Sequence, residues 1–129
     1  MAAICFRYHF LLPLPSETRQ LPVSSYFSGD TKPCRALEKG AKGADLLIHE
    51  ATYGSEDDRA EANRWGHSTF ADAAEAAVRT GAKRLWLTHL SQAIEDEAAA
   101  LETARAIFPA AECPPDGHTI HLSFPEESV

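Results

Sequence analysis

The sequence predicts an α/β fold with a largely parallel sheet, and three observations predict it. Short apolar runs of strand length alternate with longer segments whose apolar residues recur at helical spacing. The runs Leu46-Leu47-Ile48 and Leu85-Trp86-Leu87 are apolar without alternation, as in strands covered on both faces. Polar clusters close the strands: Ser28-Gly29-Asp30-Thr31 follows Tyr26-Phe27, His49-Glu50-Ala51-Thr52 follows Ile48, and Thr88-His89-Leu90-Ser91 follows Leu87. A fourth cluster, His67-Ser68-Thr69, opens a helix instead. Strand ends of this kind converge on one sheet edge, where open α/β sheets place ligands.

Residues 1–21 stand apart from the rest. Ile4 to Leu14 is apolar, but Arg7, His9 and Pro13 interrupt it and no small-residue cleavage site follows, so no signal peptide is expected. Pro13, Pro15 and Pro22 bracket Ser16 to Gln20 as a linker or frayed extension. One domain is expected over residues 22–129. Val23 to Ser28, rich in β-branched and aromatic residues, predicts a strand. Pro33 suits the first turn of a short helix over Cys34 to Lys39, which Gly40 and Gly43 end. Asp45 to His49 is the next strand.

Residues 53–66 are polar and poor in periodicity, which predicts a lid or functional loop in which Arg59 to Ala62 can form a turn of helix. The run Ser55 to Glu61 is simplest as a solvated face. Thr69 with Asp72 forms a capping-box pattern, with Asp in place of the usual Glu. Phe70, Ala73, Ala74, Ala77 and Val78 then mark one helical face, and Gly81 stops the helix. Leu85 to His89 is a strand. Glu95 to Phe108 is a helix with acids in its first turn and Leu101, Ala104, Ile107 and Phe108 on one side. Pro114-Pro115-Asp116-Gly117 is a turn before a last strand, Thr119 to Phe124.

Composition bounds the function. At 129 residues, 44% of them hydrophobic and 24% charged, the chain is long enough for one globular core. A net charge of −7 argues against a general nucleic-acid-binding surface, which needs clustered Lys and Arg. Bound divalent cations would reverse that sign locally, so a small anionic substrate stays open. Cys5, Cys34 and Cys113 form no close pair, which predicts neither disulfides nor a thiolate metal site and fits a reducing cytoplasm. No stretch approaches the length of a membrane span.

An Asp, two His and a Glu delivered to one sheet edge are the raw material of a metal-hydrolase site. Asp30 follows a glycine at a strand end, where its two oxygens are able to bridge two metal ions; an N-cap for the helix after Pro33 is the alternative. His89 ends the Trp86 strand as a metal ligand or a structural residue. His67 lies just before the helix capped by Thr69, whose dipole disfavours imidazolium, so an acid role there needs a carboxylate partner. Glu50 is that candidate, and the two would form a relay protonating a leaving oxygen. Adjacent strand residues face opposite ways, so His49 is assigned to packing or a backbone hydrogen bond. His118 and His121, three apart around a strand, diverge and are assigned to the surface.

In order and spacing, Ser28 to Thr31, Gly43 to Thr52, His67 to Thr69 and Leu87 to Ser91 resemble the carboxyl-terminal half of ribonuclease Z, a family of dinuclear zinc hydrolases in the metallo-β-lactamase superfamily. The resemblance implies half of an αββα sandwich, one mixed sheet with flanking helices. It implies Zn2+ as cofactor, two ions in the complete site, with Asp30 as bridging ligand and His89 as terminal ligand of the second metal. Glu50 and His67 match the pair linked to proton donation. The implied substrate is RNA, a tRNA precursor losing its 3′ trailer, or a smaller phosphodiester. The family's HxHxDH ligand run has no counterpart here, and His9 is the only histidine before Asp30. The expectation is therefore an incomplete site, completed by an amino-terminal half-domain or by a homodimer. A non-catalytic remnant or interaction module that keeps the half-fold is the rival.

Overall fold

The structure is a computed structural model that describes the backbone of residues 6–10 and residues 23–122 in full. Strands β1 (Phe6–Phe10), β2 (Val23–Phe27), β3 (Leu46–Glu50), β4 (Leu85–Thr88) and β5 (Ala111–Glu112) form one sheet in sequential order. β1 runs antiparallel to β2, and the others pair parallel. Helices α1 (Arg35–Gly40), α2 (Arg59–Arg64), α3 (Phe70–Thr80) and α4 (Glu97–Ile107) lie between the parallel strands. The sheet is thus mixed and flanked by helices, as expected.

Sequential parallel strands joined by right-handed crossovers carry their helices on one face, and the core follows that rule. Tyr26, Leu47, Leu85 and Ala111 form one cross-strand row, all buried. They pack with Leu37 of α1, Phe70, Ala73, Ala74 and Ala77 of α3, and Ala100 and Ala104 of α4. The alanines let α3 lie close to the sheet, and Phe70, wholly buried, contributes roughly 1.5–3 kcal/mol. Gly40 shows how near α1 comes: a Cβ there would meet the Tyr26 ring at 2.6 Å. The opposite sheet face carries the next row, Phe27, Ile48 and Trp86, with Phe27 40% exposed. Beside it Trp86 donates from Nε1 to Glu112 at 3.0 Å and meets the His118 ring edge-on at 5.3 Å.

Thr69 and Asp72 form the capping box, each side chain bonded to the other residue's amide, and Gly81 is the left-handed C-cap. Asp96 caps α4 by accepting from the Ala99 amide. Other expectations need correction. The sheet's last strand is Ala111–Glu112, directly after α4, and residues 119–122 form no strand. That pairing follows from where α4 delivers the chain beside Leu85, not from β-propensity. Residues 123 and 124 lie outside the described residues. Val78 is 54% exposed, on the outer side of α3. Pro33 precedes the N-cap Cys34 instead of entering the first turn. The extension before residue 22 contributes β1.

The 53–66 segment is ordered, not a loose lid. A 3-10 turn over Glu56–Asp58 leads into α2, whose Ala62 is fully buried. Tyr53 pairs with Thr69 in an isolated bridge, and Arg59 reaches Glu56, Asp72 and Glu75 at 3.1–3.2 Å. Among the described residues, no helix is long and apolar enough to cross a membrane.

Candidate functional site

Strand parity decides what the end of β3 presents. His49 shares its face with Leu47 and points into the helix-packed core, whereas Glu50 shares its face with Ile48. Glu50 is only 1% exposed, yet its carboxylate is fully engaged. Oε1 accepts from the Thr31 amide at 3.1 Å and faces His67 Nδ1 at 2.8 Å. Oε2 accepts from the Thr52 amide and hydroxyl, both at 3.0 Å, and from the Ser68 amide at 3.1 Å. One carboxylate therefore ties together the loops after β2 and β3 and the turn before α3. Ser28 strengthens the junction by accepting from the Glu50 amide, as does Ser68 by donating to the Thr31 carbonyl.

A carboxylate oxygen only accepts, so the hydrogen between Glu50 and His67 sits on Nδ1 of the imidazole. His67 Nε2 is then the ring atom left for other partners, and the side chain is 25% exposed. The His89 ring stacks beside it, with centroids 5.7 Å apart and planes at 22°. His89 takes φ 57°, a left-handed conformation costing a non-glycine residue roughly 1–2 kcal/mol. Its Nδ1 lies 2.9 Å from Thr52 Oγ1 and 3.5 Å from Asp30 Oδ1. Asp30 reaches that place because Gly29 turns the chain at φ 64°, open to glycine at no steric cost. The structure thus brings Asp30, Glu50, His67 and His89 together and leaves His49, His118 and His121 apart. Thr52 lines a cavity of about 530 Å3 between residues 53–61 and 91–103, but Asp30, Glu50, His67 and His89 do not line it.

His49 is fully buried, its Nδ1 2.7 Å from the Glu50 carbonyl, and its Nε2 has no hydrogen-bond partner among the described residues. Burial holds its imidazole below the ordinary 6.5, against the pull of the Glu50 carbonyl and the Glu50 and Asp72 carboxylates. The folded state thus keeps the ring neutral while the unfolded chain takes up a proton below about 6.5, so stability falls as pH drops. His49→Phe is expected to flatten the unfolding free energy between pH 7 and pH 5, measured by urea titration. A slope equal to the parent's would show that His49 is not held neutral. Burial, with Glu97 beside it, pushes the Cys113 thiol up to about 12, so the thiol stays protonated at neutral pH.

The sequence pattern of the Beta-lactamase superfamily domain matches residues 22–90, which include all four site residues. The chain belongs to the beta-lactamase superfamily. It is 45% identical over 114 residues to the ribonuclease Z of Methanothermobacter thermautotrophicus, covering 84% of this chain and 36% of that protein. Human tRNase Z, short form, superposes with a TM-score of 0.50 at 40% identity, over 54% of this chain and 27% of that one. A long form RNase Z from yeast gives a TM-score of 0.59 at 28% identity, over 68% and 11%. The chain spans about a third of the length of the curated relatives it matches.

Membership in this superfamily implies a metal, and the donor set here fits one in part. Glu50, His67 and His89 place ligand atoms within 4.8 Å of one another. Glu50 does not fit as a ligand, because five hydrogen-bond partners already occupy its two oxygens. Asp30 and His89 do fit: an exposed carboxylate and a half-exposed imidazole meet at one edge. The sequence pattern singles out Asp30, Glu50, His67 and His89 but not Thr31, Thr52 and Ser68, which fix Glu50. All three lie in the polar clusters, yet they act largely through backbone amides, which leave no side-chain signature.

Proposed function

We propose that this chain supplies the leaving-group side and part of the metal site of a zinc-dependent phosphodiesterase of ribonuclease Z type. The observation that carries the reading is the 2.8 Å pair between buried Glu50 and His67 beside Asp30 and His89. Glu50 holds the His67 ring by Nδ1, and His67 carries a proton at Nε2 to the leaving oxygen. Asp30 and His89 are the residues that would hold the metal, Asp30 as a bridging ligand and His89 as a terminal one. The metal, when bound, activates water and neutralises charge on the phosphoryl group. The remaining ligands come from an amino-terminal half-domain or a second copy of the chain. That the relatives are a ribonuclease Z and a tRNase Z supports RNA as the substrate, by this reading a tRNA precursor, and a cytoplasmic setting suits it.

The test is a chimera in which residues 22–129 replace the matching segment of a full-length relative. Groups acting as one unit are strongly non-additive. Glu50→Ala, His67→Ala and the double variant are therefore expected to slow phosphodiester cleavage by similar factors, each about 100-fold or more. Losses that multiply in the double variant would separate the two residues and sink the relay.

A further inference from the structure

The Thr52 hydroxyl lies within hydrogen-bond distance of both halves of the site. Its oxygen lies 3.0 Å from Glu50 Oε2, 3.3 Å from His67 Nδ1 and 2.9 Å from His89 Nδ1. The residue is held rigidly: its amide donates to Glu50 Oε2, and its carbonyl accepts from the Ser91 amide at 3.1 Å. A β-branched side chain on a backbone pinned at both ends has little rotameric freedom.

Proton accounting then assigns the bonds. A hydroxyl has one hydrogen, and the Glu50 carboxylate oxygen can only accept, so Thr52 donates to Glu50. Toward His89 the same oxygen must then accept. Asp30 Oδ1, 3.5 Å from the same ring nitrogen, is a second acceptor there. Two oxygens facing one ring nitrogen are both satisfied only if that nitrogen carries hydrogen. We propose that Thr52 is a positioning residue, whose hydroxyl links Glu50 to His89 and holds His89 with Nδ1 protonated and Nε2 free to donate to a divalent cation. One buried carboxylate thereby sets the tautomer of both histidines, His67 directly and His89 through Thr52. Partners of this kind orient metal-binding histidines and fix their tautomers.

The metal-affinity part of this inference rests on the proposed metal centre; the tautomer part does not. The full metal-free chain, labelled with 15N on histidine, reports the His89 tautomer in long-range 1H–15N spectra, with the signal assigned from His89→Gln. The Nδ1–H form is expected in the parent and in Thr52→Ser, which keeps the hydroxyl. In Thr52→Val, of similar shape but without the hydroxyl, a mixture with the Nε2–H form is expected. In the chimera that supplies the remaining ligands, Zn2+ affinity, read by competition with a chromophoric chelator, should fall about 10–100-fold in Thr52→Val and return in Thr52→Ser. A parent chain with His89 in the Nε2–H form would overturn the proposal even if Thr52→Val failed to fold. So would a folded Thr52→Val variant with the parent's tautomer. If the parent chimera binds no Zn2+ while the tautomers behave as expected, the metal-centre reading fails and the Thr52 linkage stands.

Discussion

Replacing Glu50 by alanine is expected to cost about 3–5 kcal/mol of folding stability, the scale seen when one partner of a buried charged network is removed. The carboxylate lies 1% exposed beneath three loops and takes hydrogen bonds from the Thr31, Thr52 and Ser68 amides, the Thr52 hydroxyl and His67. Alanine would strand the Thr31 and Ser68 amides in a buried junction, each unsatisfied donor costing about 1–3 kcal/mol. Glu50→Gln keeps the shape and one acceptor oxygen but turns an amino group toward N–H donors, so an intermediate loss is expected. Asp57→Ala, in the exposed 3-10 turn, should stay within about 0.5 kcal/mol of the parent. Urea unfolding followed by tryptophan fluorescence measures all three. A Glu50→Ala midpoint near the parent's would mean that water readily replaces the carboxylate, and that Glu50 does not organise the site.

The contrast between His49 and Glu50 shows how far the sequence reaches. The two-residue period of a strand separates them onto opposite faces before any coordinate is known, and the structure places them so. Helix α3 was equally legible, because its cap, periodicity and stop signal are local. Val78 departs from that pattern because one β-branched residue at the margin of a helical face carries no direction of its own; the burial of Ala76 and Thr80 marks where the true face runs. β5 was not legible, since two residues without β-branching form a strand only because α4 brings them beside Leu85 and Trp86. The order in residues 53–66 was hidden for a related reason. Arg59, polar on any sequence scale, anchors that segment through Asp72 and Glu75 on α3, which lie well beyond its own helix. In the site, side chains with chemistry announced themselves, and the amides that hold Glu50 did not.

The 129-residue chain on its own is expected to bind zinc weakly and to turn over no phosphodiester. Catalytic zinc sites use three protein ligands with one open position. At this sheet edge Asp30 and His89 are the free donors of matching role, Glu50 being saturated by its own hydrogen bonds. One carboxylate and one imidazole do not hold zinc in the geometry that activates its water. The row Phe27, Ile48 and Trp86 on the face away from the helices also leaves apolar surface that favours self-association. Elemental analysis of the purified chain should give well below one zinc per chain, and bis(p-nitrophenyl) phosphate should remain uncleaved. Adding a separately expressed amino-terminal portion of a ribonuclease Z, which carries the HxHxDH run, should restore zinc binding and turnover. It should also shift Trp86 emission to the blue as that face is covered. Two tightly bound zinc ions with turnover by the lone chain would overturn the expectation. Trp86 burial on mixing without zinc or turnover would leave a non-catalytic interaction module that keeps the half-fold.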